Sequence, residues 1–422
     1  MNNSNTYDAI IIGGGPGGST AATVLAQRGR NVLIIEREKF PRYRLGESLI
    51  PYCYFPLERI GMIDKMRASH FVRKFSVQFV STDGRASQPF YFFKHVKHES
   101  SMTWQVVRSE FDQMLLDNAR DHGAHVMEET SAKQLIVEDG NVVGVEAVNA
   151  AGERLTLRAP MTIDATGRDM FTIKRNDWRV NDPELRKVAI WTYYKGAKRD
   201  PGIDEGNTTV AYVPEKGWFW YIPLPDDMVS VGIVAEREYL YRDGKQDLET
   251  IFQREVNNNV WLKEHLEVGE HCDEYRVTGD YSYRSEHCAA NGLILVGDAF
   301  AFLDPVFSSG VFLALRSGEL AGDYVEEALK ANDFSAGRFD EYGRLFRDGV
   351  EAMRKLVYAF YDHSFSFGKM LKAHPEVHGD LTDCLIGHVY KDLDPLFNAV
   401  AEFADIPEAL THGTPLTEDV AA

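Results

Sequence analysis

The sequence predicts an α/β fold with inserted α+β material: a parallel sheet with helices, an interleaved antiparallel sheet, and a helical C-terminal region. Three observations predict it. Tyr7–Glu36 (YDAIIIGGGPGGSTAATVLAQRGRNVLIIE) reads as strand, glycine turn, helix and second strand. Two later buried-strand runs, Met161–Ala165 and Leu293–Val296, lead into Asp164-Ala165-Thr166-Gly167 and Gly297-Asp298, as further strands of the same sheet would. Between them lie alternating, aromatic-rich segments of antiparallel character.

The first unit is the most specific. Asp8–Ile12 is an apolar run, Ser19–Arg28 is helical with small residues on one face, Gly29 is a C-cap signal, and Val32–Ile35 is the second strand. Gly13, Gly15 and Gly18 have the spacing of a dinucleotide-binding turn, with Pro16 and Gly17 inside it. The spacing assigns Gly13 to the tight turn, Gly15 to close approach of a pyrophosphate, and Gly18 to close packing of helix on sheet. The helix N-terminus offers free amides to the phosphates. Glu36, at the end of the second strand, suits a ribose hydroxyl pair and argues against a 2′-phosphate. A Rossmann-type nucleotide domain follows.

Taken in order, Lys39–Pro51 (KFPRYRLGESLIP) is a loop, basic before Gly46-Glu47-Ser48, and Leu57–Met66 is a short helix. Phe71–Val80 alternates like a strand with one wet face, Asp83-Gly84 is a hairpin signal, and Pro89–Lys94 is the return strand. Ser109–His122 is an amphipathic helix with Ser109 as N-cap and a stripe of Phe111, Met114, Leu115 and Ala119. Gln134–Val137, Val142–Val148 and Arg154–Arg158 read as a meander. Ala189–Lys195, Thr208–Val213, Trp218–Leu224 and Val229–Ala235 read as strands, Gln246–Asn257 as a helix, and Gly310–Ala331 as a long helix; the rest through about Ala404 is mostly helical, with a frayed end.

Composition narrows the classes. The chain has 422 residues, 44% of them hydrophobic, and a net charge of −18, which argues against nucleic acid as a partner. No apolar run approaches the ~18 residues of a membrane span, and the polar N-terminus lacks a signal-peptide core. The four cysteines, Cys53, Cys272, Cys288 and Cys384, are scattered without a CxxC, so no metal site or disulfide framework is expected. These features predict a cytoplasmic protein.

The set Gly13–Gly18 with Glu36, Asp164–Gly167 and Gly297-Asp298-Ala299 resembles the fingerprints of flavoprotein monooxygenases of p-hydroxybenzoate-hydroxylase type, over nearly the whole chain. The resemblance implies FAD as cofactor, Asp298 at its ribitol and Arg108 near the flavin, with Arg37, Glu47, Ser48 and Gly310 also against it. Trp218-Phe219-Trp220-Tyr221-Ile222-Pro223 matches the WxWxIP signature of flavin-dependent halogenases. Alternation puts Trp218, Trp220 and Ile222 on one face. The resemblance implies that these residues and Pro223 form a wall between flavin and substrate. Aromatic core on a strand is the plainer reading of the same residues.

Within that resemblance Lys74 matches the lysine that binds hypohalous acid or carries the halogen as a haloamine; Arg73 then faces the other way. Asp304-Pro305-Val306-Phe307-Ser308-Ser309-Gly310 resembles the loop beside the flavin, where amides of Ser308, Ser309 and Gly310 hold chloride or bromide. Tryptophan halogenases carry a glutamate where this chain has Phe307. That departure points to the branch acting on phenols and pyrroles, whose substrates include acyl groups on a carrier protein. Lys39, Arg42 and Arg44, or Lys94, His95, Lys97 and His98, are candidate docking patches for such an acidic partner. No second nucleotide motif is visible, so FADH2 is expected from a separate NAD(P)H-dependent flavin reductase.

The expected domains are FAD-binding at 1–70, 100–175 and 286–330, a substrate sheet at 71–99 and 176–285, and a helical region at 331–422. Three other readings share parts of these motifs: a single-component aromatic hydroxylase, a geranylgeranyl-reductase-like enzyme, and a non-catalytic flavin-binding partner.

Overall fold

The parallel sheet runs, from one edge, Ala289–Ala290, Leu293–Leu295, Met161–Asp164, Ala9–Ile12, Val32–Ile35 and His125–Met127. All neighbours in it are parallel except the edge pair Ala289–Ala290 and Leu293–Leu295. This is a computed structural model, which describes residues 6–417 except 216, 245, 280 and 281. Ala9, Ile11, Val32 and Ile34 face helices Pro16–Ala26 and Gly310–Ala331. Ile10, Ile12, Leu33 and Ile35 face the meander Ser131–Glu138, Asn141–Val148 and Arg154–Arg158. Both faces are covered, which is why the strands read as continuous apolar runs.

The second sheet runs Glu270–His271, Lys187–Lys195, Met228–Glu236, Trp218–Pro223, Thr208–Tyr212, Ser76–Val80 and Phe90–Tyr91, with Arg276–Thr278 also pairing Lys187–Lys195. Its alternation splits two cores. Trp191, Tyr193, Val210, Trp218, Trp220 and Ile222 point toward the nucleotide side. Ile190, Ala211, Phe219, Tyr221, Val231 and Ile233 pack with Ile251, Phe252 and Leu262 of the helices Leu248–Val256 and Val260–Leu266.

Several sequence expectations shift. Phe71–Val80 is two strands: Val72–Lys74 pairs Thr103–Gln105 in a separate ladder, and Ser76–Val80 joins the second sheet parallel to Thr208–Tyr212. The chain changes sheets at Phe75 while keeping its alternation. The return strand shrinks to Phe90–Tyr91, because Phe92–Lys94 turns to bury the Phe92 ring. Leu57–Met66 is broken into Tyr54–Arg59 and Ile63–Ala68 at Gly61, whose φ is +74°. Ser109 is not an N-cap; the helix starts at Arg108, after Val107. The expected helix Gly310–Ala331 is present with those bounds. The frayed end falls largely on 418–422, outside the described residues.

The C-terminal helices Asp340–Tyr361, Phe367–Ala373, His378–Ile386 and Asp394–Ala401 close the molecule beside both sheets. A buried ionic cluster fixes the tail: Arg284 pairs with Glu351 and donates to the Leu410 carbonyl at 3.2 Å, while Arg354 donates to Asp182 at 2.6 Å and to the Glu408 carbonyl at 3.0 Å.

Gly232 lies opposite Trp220 across the ladder, and a Cβ on it would collide with the Trp220 ring. Gly232→Ala is therefore expected to destabilise by about 1–3 kcal/mol through overpacking; an unchanged Tm would contradict this packing.

Candidate active site

The glycine loop, the ends of the parallel strands and the inner face of the second sheet enclose a cavity of about 800 Å3. Gly13, Gly15, Pro16 and Gly17 line it, with Glu36 and Arg37. Gly13 has φ +105°, and a Cβ there would stand 2.5 Å from the Ala165 carbonyl oxygen, so the turn requires glycine. Gly15 has an ordinary φ of −73°, and a Cβ on it would approach only the Arg42 guanidinium, at 3.5 Å. The space in front of Gly15 is cavity, at the N-terminus of a helix, and suits an anion. Gly18 does not line the cavity; a Cβ on it would collide with the Gly13 carbonyl.

Glu36 is held by the Gly14 amide at 2.8 Å and the Glu38 amide at 2.9 Å, with its carboxylate at the cavity. Arg108 donates to the Leu45 carbonyl at 2.7 Å and, through Nε and Nη2, to both oxygens of Asp112 at 2.9 and 3.0 Å. Arg42 donates to the same carboxylate at 2.8 Å. Burial opposes the charge on Asp112, but Arg108 and Arg42 hold its carboxyl below the ordinary range. Sequence reading missed Asp112, although its i,i+4 spacing from Arg108 was visible.

Glu47 accepts from the Tyr193 hydroxyl at 2.6 Å, and burial pushes its carboxyl up. Asp298 lines the cavity, and burial pushes it up to about 6 against the pull of Arg168 and Arg108. The fit to FAD rests on this set: cavity space at a helix N-terminus, a carboxylate at the end of the second strand, and a volume of about 800 Å3. Among the described residues no metal-ligating cluster is present, and no helix is long and apolar enough to cross a membrane.

A second cavity of about 850 Å3 adjoins the first. Aromatic rings of Phe79, Phe90, Phe92, Tyr212, Phe307 and Phe360 line it, and Lys74 reaches it. Thr208, Val210, Val306 and Ser308 line both cavities, so they form the partition. Trp218, Trp220 and Ile222 share a face and line only the first cavity; Pro223 lines neither and pairs with Val229.

Lys74 is 1% exposed, while Arg73 is on the wet side of the strand. Its Nζ donates to Ser48 Oγ at 2.8 Å and to the Leu49 carbonyl at 3.1 Å. Burial lowers its pKa from 10.5 to about 7, against a small opposing effect of Cys53. Phe307 makes edge contacts with Phe360 and Phe367 at 5.8 and 6.4 Å. Ser308 is left-handed at φ +55°, and Ser309 occupies the N-cap of helix Gly310–Ala331 without a side-chain capping bond. Gly310 lines the first cavity, and Ser309 lines neither.

One connection had no local signal. Tyr361, at the end of a C-terminal helix, donates to Asp304 at 2.8 Å and accepts from Trp218 Nε1 at 2.8 Å. It ties the Asp304–Gly310 loop to the aromatic strand. Of the candidate docking residues, Arg42 and Arg44 are taken up by Asp112 and Glu38, whereas Lys94, His95, Lys97 and His98 are exposed.

The tryptophan halogenase family model matches residues 8–102 and 82–367. The chain is 30% identical to a 1H-pyrrole-2-carbonyl peptidyl-carrier-protein chlorinase of Pseudomonas fluorescens, over 96% of each chain. It is 30% identical to the corresponding brominase of Pseudoalteromonas luteoviolacea, over 92% of this chain and 93% of that one. Among solved structures it resembles the flavin-dependent brominase Bmp2, with a TM-score of 0.85 and 27% identity over 94% of this chain and 98% of that one. It also resembles the chondrochloren halogenase CndH, with a TM-score of 0.79 and 32% identity over 94% and 95%. The chain belongs to the tryptophan halogenase family, the flavin-dependent halogenases, and is an enzyme that uses FAD. The hydroxylase, reductase and non-catalytic readings give way to this membership.

Two outcomes follow from the geometry. Gly15→Val is expected to fold with an unchanged Tm, because its backbone is ordinary and its Cβ meets only the Arg42 guanidinium, at an unstrained 3.5 Å, yet to weaken FAD binding by more than about tenfold, or about 1.4 kcal/mol. Retained wild-type FAD affinity would remove Gly15 from the cradle. The second concerns pH. The unfolded lysine holds its proton up to about 10.5 and the folded one only to about 7, so the unfolded chain binds more protons between those values. Stability from this group rises with pH across that window. The Tm advantage of Lys74→Met over wild type is expected to be largest below pH 7 and to shrink toward pH 10.

Proposed function

We propose that this halogenase adds chlorine or bromine to an electron-rich ring, a phenol or pyrrole, and that Lys74 presents the halogen to it. The observation that carries the reading is a buried amine on the second cavity, its pKa lowered to about 7, that donates to Ser48 on the first. The first cavity would hold FAD, through Gly13, Gly15, Pro16, Gly17, Glu36, Arg37, Glu47, Ser48, Arg108, Asp298 and Gly310. When bound as FADH2, the cofactor supplies, with O2, the oxidising chemistry that converts halide to hypohalous acid. The protein's own groups do the rest. Gly18 lets the cradle helix sit against the sheet. The backbone of Ser308, Ser309 and Gly310, at an uncapped helix start, would bind the halide. Trp218, Trp220 and Ile222 face the flavin side, with Pro223 ending their strand, and would exclude water and organic substrate from it.

The second cavity would take the ring. Its walls are mostly apolar, and Phe307 stands where a carboxylate would otherwise stabilise a ring cation. A ring activated by its own oxygen or nitrogen needs no such group. The relatives named for pyrrole-2-carbonyl groups on a peptidyl carrier protein support a carrier-bound substrate. The exposed Lys94, His95, Lys97 and His98 would meet that acidic partner, His95 stacking 4.9 Å from His378 at the cavity. FADH2 would come from a separate NAD(P)H-dependent flavin reductase, and the reaction would be cytoplasmic.

Lys74→Ala is expected to lower halogenated product about 100-fold or more, while reduced flavin is still oxidised by O2. Lys74→Arg should not rescue, because a guanidinium keeps its charge and offers no neutral amine. Wild-type product from Lys74→Ala would take this residue out of the reaction. With reductase, FAD and halide, mass spectrometry should find a halogenated pyrrole or phenol and little halogenated tryptophan; efficient tryptophan chlorination would place the substrate class wrongly.

A further inference from the structure

We infer that the hydroxyl pair of Ser48 and Thr208 is a binding station for hypohalous acid, set in the partition beside Lys74. The inference rests on the halogenase reading above and adds a site to it. Both residues are 4% exposed, both line the first cavity, and Thr208 lines the second as well.

The hydrogen-bond count carries it. Gln105 Nε2 donates to the Gly206 carbonyl and to Thr208 Oγ1, each at 2.9 Å. A carbonyl can only accept, so the amide orientation is fixed and Thr208 Oγ1 is an acceptor there. Ser48 Oγ accepts from Lys74 Nζ at 2.8 Å. The two hydroxyls are 2.8 Å apart, and one of their hydrogens closes that bond. Whichever residue donates, the other keeps one hydroxyl hydrogen with no further acceptor bonded to it among the described residues. That hydrogen is a donor at the edge of the cavity.

The amine completes the site. A neutral Lys74 has two hydrogens, and Ser48 Oγ and the Leu49 carbonyl take both. Its lone pair is left over. Hypohalous acid has an oxygen that accepts a hydrogen bond and a halogen that is electron-poor. The spare hydroxyl hydrogen suits the oxygen, and the lone pair suits the halogen. Gln105 then acts as a positioning residue, through Thr208.

Ser48→Ala with Thr208→Val removes both hydroxyls and with them the spare donor; Thr208→Ser keeps the pair and the donor. With FAD, reductase, bromide and an activated arene, the double variant is expected to give about tenfold less product per reduced flavin oxidised, with the missing equivalents caught as free hypobromous acid by an added scavenger. Thr208→Ser is expected to restore the wild-type ratio. Independently of turnover, bromide-soaked crystals above pH 7, where Lys74 is largely neutral, are read by anomalous scattering. Wild type and Thr208→Ser should hold bromide at the hydroxyl pair, and the double variant should not. A wild-type product ratio in the double variant, a loss without hypobromous acid in the scavenger, or the same bromide occupancy in all three proteins would overturn the station. If the wild type halogenates no arene at all, the halogenase reading of its substrate falls instead, and the bromide experiment still decides the site.

Discussion

The burial of Lys74 without a counter-ion is the constraint that shapes the centre of this molecule. Its pKa falls from 10.5 to about 7, a cost on the order of 5 kcal/mol for holding the charged form. Among the described residues no carboxylate pairs with it; its partners are a hydroxyl and a carbonyl. A carboxylate would have repaid the desolvation and kept the lysine charged. Neutral partners leave an amine that is uncharged in a large fraction of molecules near neutral pH. The break at Phe75 puts Val72–Lys74 on its own ladder with Thr103–Gln105, where Lys74 meets Ser48.

Around that amine, parts far apart in sequence are made rigid together. Tyr361 joins Asp304 and Trp218, so the loop carrying Ser308–Gly310 cannot shift without disturbing the aromatic strand. Burial pushes Asp304 up to about 6, and the bonds from Tyr361 and the Val306 amide oppose that rise. The C-terminal helices are thus part of the site's frame, held in turn by the buried Arg284–Glu351–Arg354–Asp182 cluster.

What was legible in the sequence depended on range. The strand–turn–helix–strand unit at Tyr7–Glu36 was readable because its signals are local: two apolar runs, fixed glycine spacing and a terminal acid. The common face of Trp218, Trp220 and Ile222 followed from period two alone. Lys74 was legible only through resemblance, since nothing in FVRKF says which cation is buried. Thr208, Gln105 and Tyr361 were not legible at all, because each acts through partners 57 to 160 residues away. The parallel pairing of Ser76–Val80 with Thr208–Tyr212 was hidden for the same reason: alternation fixes a strand's faces and says nothing of its neighbour or direction.

The identity of residue 307 connects the amine to the choice of ring. Phe307 and Lys74 line the same cavity. A carboxylate at 307 would favour the charged lysine and draw its pKa back up. It would also stand against the Phe360 and Phe367 rings, which offer it no hydrogen-bond donor. An aromatic side chain there keeps that wall apolar, adds no charge to draw the amine's pKa back up, and forgoes any help to a cationic ring. The ring that reacts in such a cavity has to spread its own positive charge, as a pyrrole nitrogen or a phenol oxygen does.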